Sequence, residues 1–186
     1  MHIAFGEHFI EISRWESRTQ MIRYLGEGCV AGSILLGEDA EMATEFYTAT
    51  LYLGARASRF GIGICSEGHG LTPQMLLLAE EGTLVFGFNR EVVALSIMDM
   101  EIEPKFRMEL PALFHRFVFL NRMSLILIFY EIGVMALSQT GHCLWQYEKD
   151  LITDYLVTSD RLIVEFMDSP AVAIDLLTGT VSSVSP

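Results

Sequence analysis

The sequence predicts an all-β fold: an antiparallel meander of four-stranded units with a short N-terminal helix. Three observations predict it. From Met75 to Val184 the chain alternates apolar runs of four to eight residues with turn signals of two to four residues, the spacing of strands and hairpin turns. No proline falls within any of these runs, as ladder hydrogen bonding requires. The pattern also recurs at a nearly constant interval. With 186 residues, 51% of them hydrophobic and 19% charged, the chain has the material for one core, and residues 1–186 are expected to form a single domain.

In chain order, Ile3–Phe5 and Phe9–Ile12, separated by Gly6-Glu7-His8, read as a hairpin. Ser13 stands three residues before Glu16, a capping-box spacing, and Trp15, Ile22 and Leu25 share a helical face, so a helix is expected from Arg14 to Leu25 with Gly26 just beyond it. Phe46–Leu53 reads as a strand, although Asp39, Met42, Phe46 and Leu53 also fit a helix; Arg59–Cys65 is a further strand. The first set of regular runs is Met75–Ala79, Thr83–Phe88, Val92–Met98 and Phe106–Leu110. The second is Arg116–Leu120, Ser124–Tyr130, Gly133–Ser138 and His142–Tyr147, and the third is Thr153–Val157, Arg161–Met167, Ala171–Leu176 and Thr180–Val184.

Val93-Ala94-Leu95, Met135-Ala136-Leu137 and Val172-Ala173-Ile174 occupy the third strand of each set, at spacings of 42 and 37 residues. A period of about 40 with four short strands per unit is the pattern of propeller blades, which bury both faces of each sheet and so read as nearly continuous apolar runs. Residues 75–186 are therefore expected to hold three blade-like repeats, with residues 1–70 a divergent blade or a capping region. Three blades leave an opening. Residues 1–70 closing it and two chains pairing as a homodimer through an uncovered strand edge are the alternatives.

The segment from Ala136-Leu137-Ser138 through Thr140-Gly141 to Trp145, and Ala173-Ile174-Asp175 followed by Thr178-Gly179, resemble the repeats of quinoprotein-like (PQQ-type) β-propellers. Those repeats carry Ala-Leu-Asp, two free positions, Thr-Gly, and Trp four residues after the glycine. The chain departs from the pattern at Ser138 in the aspartate position, at Gln139, the single residue where two precede Thr-Gly, at Ser183 in the second tryptophan position, and at Val93-Ala94-Leu95, which has no Thr-Gly. The resemblance covers about the last 70 residues. Glycine after threonine supplies the positive φ of a tight turn, and Asp or Ser before it accepts backbone N–H groups. Trp145 is expected to wedge between sheets as core.

Twelve basic residues against 24 acidic ones give a net charge of −12, the reverse of what nucleic acid or anionic lipid attracts. Neither is expected as a partner. The field favours a basic protein partner or plain solubility. The densest apolar run, Ser124–Tyr130, is far short of the roughly 20 residues of a membrane-spanning helix, and the Met1–His8 segment lacks a basic region followed by an apolar one. A cytoplasmic protein is the expectation.

Motifs for catalysis and cofactors are weak. Gly26-Glu27-Gly28-Cys29-Val30-Ala31 matches the bare G-x-G-x-x-A pattern, but Glu27 would place a carboxylate where a pyrophosphate must approach, so it reads as a glycine-rich turn. Gly61-Ile62-Gly63 lacks a third glycine. Cys29, Cys65 and Cys143 are odd in number with small or apolar flanks, and His2, His8, His69, His115 and His142 show no H-x-x-x-H spacing. No cofactor and no metal is therefore expected.

Acidic clusters remain: Glu38, Asp39, Glu41 and Glu45; Glu80 and Glu81; Asp99, Glu101 and Glu103. Glu101 and Glu103 would share one face of a strand and, with Asp99, form a negative stripe. These three are the candidate partner-binding residues. A solvated strand edge, or pairing with Lys105, Arg107 and Arg116, is the alternative. Three functions stay open: a non-catalytic interaction module with an acidic surface, an acidic inhibitor or immunity-type protein, and an enzyme whose site assembles from distant residues.

Overall fold

The computed structural model describes residues 2–5, 8–37, 42–53, 58–97 and 102–184. Among the described residues it is all-β with one α-helix, and it divides into two compact units, Met1–Pro73 and Gln74–Pro186.

In the first unit, β1 (His2–Phe5) and β2 (His8–Trp15) form the expected hairpin, extended by β4 (Glu45–Leu53) and β5 (Ser58–Ser66). β3 (Gly32–Leu36) completes the sheet in the order β1-β2-β4-β5-β3. It pairs with β5 in parallel, Ile34 opposite Ile62. Neither this strand nor a parallel pair is anticipated by the meander pattern, because a five-residue Gly-Ser-Ile-Leu-Leu segment carries little strand signal of its own.

The helix differs from expectation. α1 spans Arg18–Gly28, and its N-cap is Ser17, whose side chain accepts from the Gln20 amide at 3.3 Å. Ser13 is no cap: it lies in β2 opposite Thr48, and Trp15 is the last β2 residue, opposite Phe46. Ladder pairing with β4, together with a bond from Trp15 Nε1 to Thr48 Oγ1 at 3.0 Å, holds this segment extended, so the second serine starts the helix. Gly26 and Gly28 lie in the last turn of that helix, not in a glycine-rich turn beyond its end.

Met21 and Leu25 of α1 are buried with Cys29 and Cys65 against the sheet. Gly61 and Gly63 of β5 make this approach close. A Cβ on Gly63 would stand 2.7 Å from Leu35 and 2.8 Å from Leu25, and one on Gly61 would collide with Leu25 and with Cys29 Sγ. The Gly-Ile-Gly spacing is therefore the seat of the helix.

The second unit contains three four-stranded antiparallel meanders. The first comprises β6 (Gln74–Leu78), β7 (Thr83–Phe88), β8 (Glu91–Ser96) and β9 (Glu103–Glu109). The second is β10 (Phe114–Leu120), β11 (Leu125–Tyr130), β12 (Gly133–Ser138) and β13 (Cys143–Glu148). The third is β14 (Ile152–Val157), β15 (Arg161–Phe166), β16 (Val172–Asp175) and β17 (Val181–Ser183). Each is the strand order of a blade.

β11 shows why the runs are continuously apolar. Ile126 and Ile128 pack with Val85, Val92 and Ala94 of the first sheet, while Leu125, Leu127 and Phe129 pack with Leu162, Val164 and Ile174 of the third. Both faces of a middle sheet are core, so alternation has no polar side to show.

Candidate functional site

The turns carry the local chemistry the sequence implied. Asp175 Oδ1 accepts from the amides of Leu177 (3.1 Å) and Thr178 (2.8 Å) and from the Thr178 hydroxyl (2.8 Å). These bonds hold the Asp175 carboxyl below the usual range. In the second sheet Ser138 takes the aspartate's place, its Oγ accepting from the His142 amide at 3.1 Å. Gly141 and Gly179 have φ of +85° and +71°. Trp145 is buried.

The acidic residues gather at one end of the first sheet, where β6 finishes, β7 begins, β8 finishes and β9 begins. Ser96 is opposite both Thr83 and Glu103, and the Ile97 amide donates to the Gly82 carbonyl at 2.8 Å. This geometry brings Glu80 and Glu81 of the β6–β7 turn to the same end as Glu103, and all three are exposed. Asp99 and Glu101 lie outside the described residues; of the candidate stripe only Glu103 is placed, at the start of β9.

The nearby cations bond to groups other than these three carboxylates, and Lys105 does so at the acidic end itself. Lys105 Nζ donates to the backbone oxygen of Glu81 at 3.2 Å and to Thr83 Oγ1 at 2.5 Å. Arg107 pairs with Glu91 at 2.5 Å, and Arg116 stands 5.7 Å over the Tyr155 ring. Among the described residues Glu80, Glu81 and Glu103 form no ion pair.

Beside this end, a cleft of about 250 Å³ opens between the first and second sheets, lined by Leu77, Leu78, Ala79, Glu80, Glu81, Phe119, Asn121 and Gln139. Its walls combine half-buried apolar surface from Phe119 with exposed carboxylates. Sequence reasoning singled out Glu80 and Glu81 but missed Phe119 and Gln139 as their neighbours, because the cleft joins strands of two sheets some forty residues apart.

A smaller cleft of about 90 Å³ between the second and third sheets is lined by His115, Arg116, Tyr130, Asp154 and Tyr155, among others. Burial lowers the His115 pKa, with Glu131 opposing and Arg116 reinforcing the shift. Burial also raises that of Tyr130, whose hydroxyl donates to Glu148 Oε1 at 3.0 Å. Among the described residues no group of three or more His, Cys, Asp or Glu could hold a metal ion, and no helix is long and apolar enough to cross a membrane.

The fold thus defines an all-β protein with repeated four-stranded units. No family model matches the chain, and no curated protein matches it in sequence. Among solved structures it is similar to Saccharomyces cerevisiae Sqt1, at 12% identity and a TM-score of 0.51, covering 78% of this chain and 45% of that one. It is also similar to a europium-containing methanol dehydrogenase, at 18% identity and a TM-score of 0.43, covering 54% of this chain and 22% of that one. The chain therefore spans less than half the length of either structure. Identities this low speak to the fold alone.

Proposed function

We propose that this chain is a non-catalytic protein-interaction module that meets a basic protein partner through the acidic end of its first four-stranded sheet. The observation that carries the reading is the convergence of Glu80, Glu81 and Glu103, exposed and without ion pairs among the described residues, in a chain of net charge −12. Such a field accelerates encounter with a cationic surface and weakens as ionic strength rises. The Ser138–Trp145 and Asp175–Gly179 segments support reading the second and third sheets as diverged quinoprotein-like blades that serve here as scaffold.

The test uses a capped hexalysine peptide as a stand-in for the basic partner, titrated calorimetrically at low and high salt. Neutralising Glu80, Glu81 and Glu103 to glutamine is expected to weaken binding about tenfold at low salt, since each exposed charge pair contributes up to about 1 kcal/mol. Neutralising Asp154, Glu165 and Asp168, equally exposed in the third sheet and its following turn, is expected to change it little. Equal losses in the two triple variants would leave diffuse net charge, and no interaction surface, as the explanation.

A further inference from the structure

We propose that the cleft between the first and second sheets of the second unit receives one extended cationic side chain, a lysine or arginine of the basic partner, with its methylene stem against Phe119 and its charged head at Glu80 and Glu81. This rests on the acidic-end reading above and adds the chemistry that end selects.

Size is the first support. About 250 Å³ admits a single long side chain and is too small for a folded element. The second is the distribution of lining groups. Phe119, which packs beside the cluster that joins the two sheets, is only half-buried, so apolar surface faces the opening, and a cation with a long hydrocarbon stem is the side chain that covers such surface while keeping its head in water. An aromatic ring such as Phe119 adds a favourable face for the cation itself.

The third is charge. Glu80 and Glu81 edge the cleft, and Glu103 starts the outer strand β9, two strands over from β7, at the same end of the sheet. Against them stand Lys105, held on the Glu81 carbonyl and the Thr83 hydroxyl, and the exposed Arg122 of the short turn of 3₁₀ helix Asn121–Met123. The balance is negative. The side-chain carbonyls of Asn121 and Gln139 are further acceptors suited to an ammonium or guanidinium, which can only donate. An acidic or purely apolar side chain would leave the two carboxylates repelled or needlessly desolvated.

The experiment varies stem length at constant charge. Capped hexamers of lysine, ornithine and 2,4-diaminobutyrate differ by one methylene per step and are titrated against the full chain at one ionic strength. A stem buried in the cleft predicts a loss of about fourfold for each methylene removed at the occupying residue. Ala79→Trp, at an exposed lining position, is expected to fill the cleft and bring lysine down to the level of the short-stemmed peptide, with an unchanged melting temperature showing that the variant folds. Should it fail to fold, the length series alone decides. Equal affinity for all three peptides, still lost on neutralising Glu80, Glu81 and Glu103, would overturn the cleft and leave the acidic end standing. Indifference to that triple substitution would overturn both.

Discussion

The indole Nε1 of Trp145 donates a 2.9 Å hydrogen bond to the carbonyl oxygen of Leu176, tying the outer strand of the second four-stranded sheet to the last turn of the third. The same indole lies under Gly179, where a Cβ would stand 2.5 Å from Trp145 Cβ. One sheet earlier the arrangement recurs: Phe106 of β9 lies under Gly141, so that a Cβ there would collide with its ring. Register explains the correspondence. Phe106 is opposite Ala94 and Trp145 opposite Ala136, and in both sheets the ladder slips immediately after that alanine. An aromatic side chain on the outer strand of one sheet thus meets the turn glycine of the next. In the third sheet the residue opposite Ala173 is Ser182, with no slip, so the departure from the tryptophan pattern falls one residue earlier than sequence spacing suggests.

Replacing Trp145 with phenylalanine keeps most of the apolar contact but strands the Leu176 carbonyl. The expected loss is about 1–3 kcal/mol, the cost of an unsatisfied buried polar group, against about 3–5 kcal/mol for alanine, which also leaves a cavity. Urea denaturation followed by far-ultraviolet circular dichroism reads both. A phenylalanine variant as stable as the parent would show that the bond contributes nothing.

The glycine contacts separate strain from crowding. Gly70, Gly141 and Gly179 all have positive φ, yet a Cβ on Gly70 meets nothing within 4 Å. Gly70→Ala should cost about 1 kcal/mol, from backbone conformation alone. Gly141→Ala and Gly179→Ala should cost clearly more, because Phe106 or Trp145 must move as well. Similar melting temperatures for the three variants would remove the proposed locking of adjacent sheets.

His115 gives a pH dependence whose sign follows from its environment. Burial favours the neutral ring and lowers its pKa in the folded chain below the ordinary value near 6.5. Protonation therefore opposes folding, and the chain loses stability as pH falls through about 6.5 toward the lower folded-state value. In His115→Asn this contribution disappears, so the stability difference between parent and variant should shift against the parent between pH 7 and pH 5. Parallel stability curves for the two proteins would mean that the ring titrates as it does in the unfolded chain.

The helix start is testable by two serines. Ser17→Ala removes the side-chain acceptor for the Gln20 amide and should cost about 1 kcal/mol, whereas Ser13→Ala, on a strand facing Thr48, removes no cap and should stay within about 0.5 kcal/mol. The reverse order, measured by thermal melts, would restore the capping box at Ser13 and Glu16.

What the sequence by itself determined is whatever short-range chemistry encodes. The strands of the second unit and their turns were legible because Asp175, Thr178 and Gly179, or Ser138 and Gly141, close their hairpins with bonds among residues at most four apart. The run Ser124–Tyr130 announced burial on both faces, as found over Leu125–Tyr130. Only tertiary structure decided the rest, since it depends on partners distant in sequence. Pairing with β4 kept Ser13–Trp15 extended and passed the cap to Ser17; pairing with β5 made Gly32–Leu36 a parallel strand. Glu80, Glu81 and Glu103 were legible as acidic residues but not as one end of a sheet, and nothing in their local sequence placed Phe119 across a cleft beside them. Charge is a property of composition, whereas the neighbour that gives it a use is supplied by register and by the packing of one sheet on the next.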